Sequence, residues 1–529
     1  MKNIGWLFCI GFLLPLKNLA QNSSPPVAKG QERFVNKPKL IRGPYLQAAS
    51  DTSMVIRWRT DALSRSRVMY GSSPAALDKT VDDVSLKTDH ELKLTGLTPG
   101  TKYFYAIGSL KDTLQFGAEN YFTTLPVPGT EGVYRIGVFG DCGYLSINQA
   151  NVRDQFLKYL GTNDLNAWIL LGDNAYNDGN DMEYQAKFFG PYKEQLLKKY
   201  PVFPSPGNHD YHDADFTADF AQKTHETPYY QNFSMPVNGE SGGVPSGNPA
   251  FYSFDLGNIH FISLDSYGME EQQYFLHDTL GPQVKWLKKD LEANKNRGWV
   301  IAYWHHPPYS KGTHNSDTDD IMSGVRENLL RILERHEVDL ILCGHSHVYE
   351  RSKFIKGHYG KAASFDAAKH QLSASSGFND GKTDAGPYIK GPGTNNGAVY
   401  VVSGSSAYVG KAAYEFPHPA MYYSNDSVAG AAMLEVQENR LDFKWICSDG
   451  VIRDRFTMMK NVNKKNTIRI KQGQTITLKA SFVSNSYKWK GNPQSSRSIE
   501  ISPKPGKYTY TVTDEFNYLK DTFDVIVSR

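Results

Sequence analysis

Long apolar runs are scarce in this 529-residue chain. Beyond the first twenty residues, none approaches the about 20 residues that a membrane-spanning helix needs. Cysteine is scarcer still: four in the whole chain are too few for a disulfide scaffold. An excess of one charge is also missing. Lys and Arg number 58 against 55 Asp and Glu, a net +3, which gives no electrostatic case for nucleic acid or an anionic membrane surface. With 40% hydrophobic and 21% charged residues, the composition lacks the marks of disorder, collagen or coiled coil. What remains is a globular protein of roughly three domains, at about 150 residues each. Its 32 tyrosines suit a β-rich, exported chain.

The organisation reads as follows. Lys2, the apolar run Trp6 to Leu16 and the small residue Ala20 have the layout of a secretory signal peptide over residues 1–20. Cleavage after Ala20 would leave Cys142, Cys343 and Cys447, at least one of them unpaired, in a secreted or periplasmic protein. An uncleaved anchor is the alternative. Residues 21–37, with Pro25-Pro26, read as a linker. From 38 to 126, short alternating strands such as 53–58, 66–70, 91–94 and 101–106 predict a small antiparallel β-sandwich. From 133 to 460, apolar runs alternate with helical patterns at 153–160, 184–199, 283–293 and 325–336, which predicts an α/β domain. Residues 462–529 return to alternating strands, as at 507–513 and 522–527, and read as a second small β-sandwich. Of 15 histidines, all but His90 lie in the α/β region.

The chemistry sits where apolar runs end. Five runs stop abruptly at Gly140-Asp141-Cys142-Gly143, Gly172-Asp173-Asn174-Ala175-Tyr176, Gly207-Asn208-His209-Asp210, His305-His306 and Gly344-His345-Ser346-His347. In open α/β sheets ligands bind beyond the carboxyl ends of the strands, so these five ends would converge on one crevice. Glycine beside a ligand, as at Gly140, Gly172, Gly207 and Gly344, allows sharp turns and close backbone approach. Asp, Asn, His and Tyr form a hard oxygen and nitrogen set suited to Fe, Mn or Zn. There are too many ligands for one tetrahedral ion, and about the right number for two ions sharing a carboxylate. Cys142 and Cys343 lie in these loops and read as small buried residues rather than thiolate ligands.

With these motifs the chain resembles the calcineurin-like metallophosphoesterases, and within them the purple acid phosphatases. The resemblance covers about Tyr134 to Met458 and extends forward, where Gly43-Pro44-Tyr45-Leu46-Gln47 and Leu97-Thr98-Pro99-Gly100-Thr101 resemble the fibronectin-III-like domain of plant-type members. It implies an α/β fold, a metallophosphoesterase β-sandwich flanked by helices. A fibronectin-III-like β-sandwich would precede it and a small immunoglobulin-like β domain follow it. It also implies that Asp141, Asp173, Tyr176 and His347 hold one ion, and Asp173, Asn208, His305 and His345 a second, with Asp173 bridging. Many other metallophosphoesterases place a His two residues after the first Asp. That position is Gly143 here, so the Tyr176 phenolate is left to complete the first site. A phenolate favours Fe(III) and gives a charge-transfer colour; the second ion would be divalent Zn, Fe or Mn. The implied reaction is hydrolysis of a small phosphate monoester by metal-generated hydroxide. His209 and His314 would be the catalytic histidines near the leaving group. Plant members often carry two adjacent histidines where this chain has His314-Asn315. His306 and His212 read as supporting or loop residues, and Tyr349-Glu350-Arg351 as structural support. The long insertions 211–250 and 357–398 would shape the pocket.

Two other readings stand beside this one. The first is a phosphodiesterase of the same superfamily. The second is a surface-binding protein whose two β modules carry the function around a degenerate α/β scaffold. In either case residues 462–529 are a candidate for cell-surface attachment.

Overall fold

The computed structural model describes residues 37–214, 222–391 and 395–529. The expected leader and all but the last residue of the expected linker lie outside them, as do parts of both insertions. No helix among the described residues is long and apolar enough to cross a membrane.

The first β region is built on the strands Leu40–Gln47, Met54–Gly71, Lys79–Leu94 and Lys102–Gly108. The runs at 53–58 and 66–70, expected as two strands, are one strand of 18 residues. No Gly or Pro interrupts residues 59–65, and the irregularity is absorbed by pairing shifts at Arg59 and Ser64. This region does not stand alone. Gln47 pairs with Val202, which joins its sheet edge-on to the parallel strands Val133–Phe139, Ala167–Leu171 and Val202–Ser205 of the α/β region. The result is a single sheet of 13 strands.

A second sheet of seven strands contains Trp299–Tyr303 and Leu340–Cys343, again parallel. The two sheets pack face to face: the rings of Phe203 and Phe254 stack at 3.8 Å, and Tyr252 Oη donates to the Pro204 carbonyl at 2.7 Å. This is the expected β-sandwich. Three of the ligand-bearing strand ends belong to one layer of the sandwich and two to the other. These runs are buried along their whole length, so no alternation marks which sheet each belongs to.

Helices flank the sandwich. Ile147–Leu160 starts at Ser146, whose hydroxyl accepts from Gln149 N, and buries Val152, Phe156 and Leu160. Pro282–Ala293 starts on a proline, where the missing amide costs nothing. The pattern at 184–199 predicts one helix, and residues 181–197 are helical throughout, with wide π-type stretches at Tyr184–Phe189 and Lys193–Leu197. Gly190-Pro191 lies between them, and proline removes an amide donor from a helix interior. Residues 465–528 form a four-stranded sheet and a two-stranded one around their own core of Leu478, Phe482, Trp489, Val512, Phe523 and Val525.

Arg351 ties the second sheet to the first. It is fully buried and forms a two-pronged ion pair with Asp454 at 2.6 and 2.8 Å, adding a bond to Tyr388 Oη at 2.8 Å. That contact takes it away from any phosphate and makes it structural. Removing one member of a buried pair strands the other charge, at a cost of about 3–5 kcal/mol. Urea unfolding of Arg351→Ala is expected to show that loss, and Arg351→Met with Asp454→Leu a much smaller one.

Candidate metal centre

Four of the expected residues meet at one point. Tyr176 is buried, and its Oη lies 2.8 Å from Asp141 Oδ1, 2.8 Å from Asp173 Oδ2 and 3.0 Å from His347 Nε2. A hydroxyl has one proton to give, so it satisfies at most one of these acceptors at a time. Burial, and then the two carboxylates, push its pKa well above the usual phenol value. Only a cation among these oxygens would reverse that.

The expected second set borders the first. His305 Nε2 lies 3.1 Å from the same Asp173 Oδ2, so one carboxylate oxygen faces both sets. His305 Nδ1 sits 2.8 Å from the Leu171 carbonyl and donates to it, which turns Nε2 inward toward Asp173. Burial would raise the Asp173 carboxyl, but His305 outweighs it, helped by His209 and His345, and holds it well below the usual range. For His305 burial opposes charge, and Asp173 outweighs it, moving the imidazole upward. Asp141, Asp173 and His305 bring ligand atoms within 4.8 Å of one another. His345 falls instead in a neighbouring group with His314 and Asp319. Its backbone N–H donates to Asp141 at 3.0 Å, and its ring lies 5.0 Å from that of His305.

Whether metal ions suit this cluster is tested by its unsatisfied atoms. Asn208 Oδ1, His305 Nε2 and His345 Nε2 are buried without a hydrogen-bond partner. Buried polar atoms rarely go unpaired, and these three belong to the second set. The donor set is hard and anionic, so the residues fit.

The local backbone is shaped for this convergence. Asp141, Asp173 and His345 all have left-handed φ values, of 55°, 50° and 66°. For residues with a Cβ this costs about 1–2 kcal/mol each. The glycines answer a tighter need than turning. A Cβ on Gly207 would stand 2.2 Å from Asp173 Oδ1, and one on Gly344 2.4 Å from Asp141 Oδ2. Each makes room for a carboxylate arriving from another strand.

The two expected catalytic histidines touch different members of the cluster. His209 is part-exposed, with Nε2 4.0 Å from Asp173 Oδ2 and Nδ1 held by the Asn177 carbonyl. His314 stacks on His345 with centroids 3.8 Å apart, and burial, followed by His345 and His347, lowers its pKa to about 3. His306 is buried against His345 at 4.1 Å, bonded to Ser266 Oγ, and His212 packs on His209 at 4.6 Å. Cys142 and Cys343 are free and fully buried, and burial pushes both thiols up, away from the thiolate a metal needs.

The calcineurin-like phosphoesterase pattern matches residues 134–349, and the purple acid phosphatase N-terminal domain matches residues 42–124. Acid phosphatase type 7 of Mus musculus is 30% identical over 377 residues, 66% of this chain and 76% of the relative. The chain belongs to the purple acid phosphatase family. Purple acid phosphatase 15 of Arabidopsis thaliana is 31% identical over 291 residues, and the chain spans half of that relative's length. In structure, a purple acid phosphatase from yellow lupin seeds superposes with a TM-score of 0.58 at 18% identity, over 80% of this chain and 74% of the other. These purple acid phosphatases are metal-dependent phosphoester hydrolases, and the fold is theirs.

Two further residues of the site carry no role in the sequence motifs. Asp210 is fully buried and accepts from Asn174 N at 3.0 Å, Gly207 N at 2.8 Å and Tyr184 Oη at 2.6 Å. It ties the Asp173 loop to the Asn208 loop. Its place directly after Asn208-His209 was the available signal. Asp319 caps the short helix Asp320–Gly324 and comes within 3.8 Å of His345 Nε2. No motif marks it.

The close approach at Gly207 makes a sharp prediction. Gly207→Ala is expected to displace Asp173 and cut bound metal at least tenfold, with the circular dichroism spectrum retained. Metal analysis after dialysis against a weak chelator measures it.

Proposed function

We propose that the chain is an exported dinuclear phosphatase acting on small phosphomonoesters. The observation that carries this is the meeting of Asp141, Asp173 and His347 on the Tyr176 hydroxyl, beside the unsatisfied Asn208, His305 and His345. Asp141, Asp173, Tyr176 and His347 would hold Fe(III), since a phenolate is a hard anion. Asp173, Asn208, His305 and His345 would hold a divalent Zn, Fe or Mn, with neutral donors and one shared carboxylate. When bound, the two ions supply Lewis acidity, lowering the pKa of water from about 15.7 toward 7 and neutralising phosphoryl charge. The protein's part is to hold six side chains and one bridging carboxylate in place and to move a proton. Leu171 O fixes the His305 tautomer, and Asp210 clamps the two ligand loops together. His209 suits the leaving group: Asn177 O occupies Nδ1, and Nε2 faces the centre from the solvent side. His314, disfavoured as a cation, would offer a neutral imidazole for hydrogen bonding beside His345. Export rests on the character of residues 1–20, and a surface-attaching role for 462–529 on their separate β core.

Metal analysis with a visible spectrum tests the ligand assignment. About one Fe and one divalent ion per chain are expected, with a colour that vanishes in Tyr176→Phe. Two divalent ions in a colourless protein would overturn the Fe(III) assignment, and faster turnover of a bis-aryl diester than of the monoester would overturn the monoester reading.

Proton donation by His209 is tested by leaving-group dependence. His209→Asn is expected to lower kcat for an alkyl phosphate about 100-fold, the usual scale of general acid catalysis. The loss for p-nitrophenyl phosphate, whose leaving group needs no proton, is expected to be far smaller.

A further inference from the structure

Two tyrosines stand partly in solvent beside the centre, and neither the fold nor the ligand set requires them there. Tyr144 is 38% exposed and Tyr408 42%. They stack with centroids 5.2 Å apart and 28° between ring planes. Each also touches the ligand cluster: Tyr144 meets Tyr176 edge-on at 5.3 Å, and Tyr408 meets His347 edge-on at 5.4 Å. The pair therefore forms a wall that starts at the first-ion residues and runs outward.

The wall is fixed in advance. Gly143, next to Tyr144, accepts from Tyr176 N at 3.0 Å. The Tyr408 segment is held on both sides: Ser406 N donates to Gly140 O, Ser146 Oγ to Ala407 O, and Gly410 N to His347 O at 2.9 Å. The loops that carry Asp141 and His347 thus also carry or hold the tyrosines. Two preset aromatic faces at the edge of a polar centre make a stacking platform, since a planar ring gains by offset stacking without any hydrogen-bond match.

We propose that Tyr144 and Tyr408 form a subsite for the leaving group, one that selects phosphoesters whose alcohol carries a planar aromatic ring, as in nucleotides and aryl-alkyl phosphates. The proposal rests on the phosphatase reading above and adds its substrate class. A ring joined to the ester through a short linker stacks on the wall while the phosphoryl group occupies the ligand cluster. Aliphatic esters reach the same cluster without that contact.

Paired substrates with the same ester bond isolate the ring. On the metal-loaded full chain, adenosine 5′-monophosphate is compared with ribose 5-phosphate, and benzyl phosphate with cyclohexylmethyl phosphate. The expected kcat/KM advantage of the aromatic member is about tenfold, the scale of one stacked base. Tyr408→Ala and Tyr144→Ala are each expected to bring the ratio close to one, and Tyr408→Phe to keep it. An advantage in the nucleotide pair alone assigns the subsite to nucleosides, and one in the benzyl pair alone assigns it to aryl groups. Equal kcat/KM within both pairs, or a ratio unmoved by both alanine variants, would overturn the subsite and leave the phosphatase standing. No turnover of any of the four esters would overturn the phosphatase reading itself. Competitive inhibition by adenosine, weakened in Tyr408→Ala, checks the stacking contact independently of turnover.

Discussion

Two buried carboxylates within reach of one phenol are the constraint around which this molecule is organised. Asp141 and Asp173 are essentially inaccessible to solvent, and both face Tyr176 Oη at 2.8 Å. Burying even one unpaired charge is costly, and burying two together is worse. The chain answers in part with imidazoles, of which His305 is lifted toward the charged form by Asp173. It leaves other donors, such as Asn208 Oδ1, with nothing to bind. A pocket with surplus negative charge and idle lone pairs is stable only when positive charge enters. Metal binding and local order at these strand ends are therefore one equilibrium, and the protein without ions should be loosest here.

The rest of the fold supplies the rigidity that holds such a site open. The left-handed backbone at Asp141, Asp173 and His345 persists because strands on either side are locked into sheets. The first β region takes part in this. Arg42 reaches Asp181 and Asn232, Tyr45 Oη donates to Asn232 O, and Arg57 donates to Gln231 O. These bonds fasten the chain on both sides of the Asn208 loop, and Gln47–Val202 pairing fastens the strand that leads into it. A module that looks like a separable sandwich works as a buttress for the Asn208 loop.

How much of this the sequence shows depends on the range of the forces involved. The candidate ligands stand out because most sit where an apolar run meets a glycine, a signal confined to a few residues. The helix Ile147–Leu160 was legible only in its second half, as the pattern at 153–160; its first turns and the Ser146 cap were not. Sheet membership was not legible. Strands such as 167–171 and 299–303 are buried throughout, and their partners are chosen by packing across the whole domain. The helix at 184–199 shows in its periodicity, whereas its π-type stretches on either side of Gly190-Pro191 leave no such mark. Asp319 and the Tyr144–Tyr408 stack join segments far apart in the chain. No local pattern encodes such contacts.

The same division explains where specificity can vary. Side chains that meet the carboxylates are boxed in: a Cβ at Gly207 or Gly344 would strike a ligand oxygen. Around that core the residues are held by backbone hydrogen bonds rather than by their side chains. Ser406, Ala407 and Gly410 fix the path of the chain past Tyr408 whatever ring it carries, and Gly143 does the same for Tyr144. Such positions accept substitution without disturbing the charge balance beneath them. The chemistry is then set by the buried carboxylates, and the choice of ester by replaceable side chains on loops that the same strands anchor.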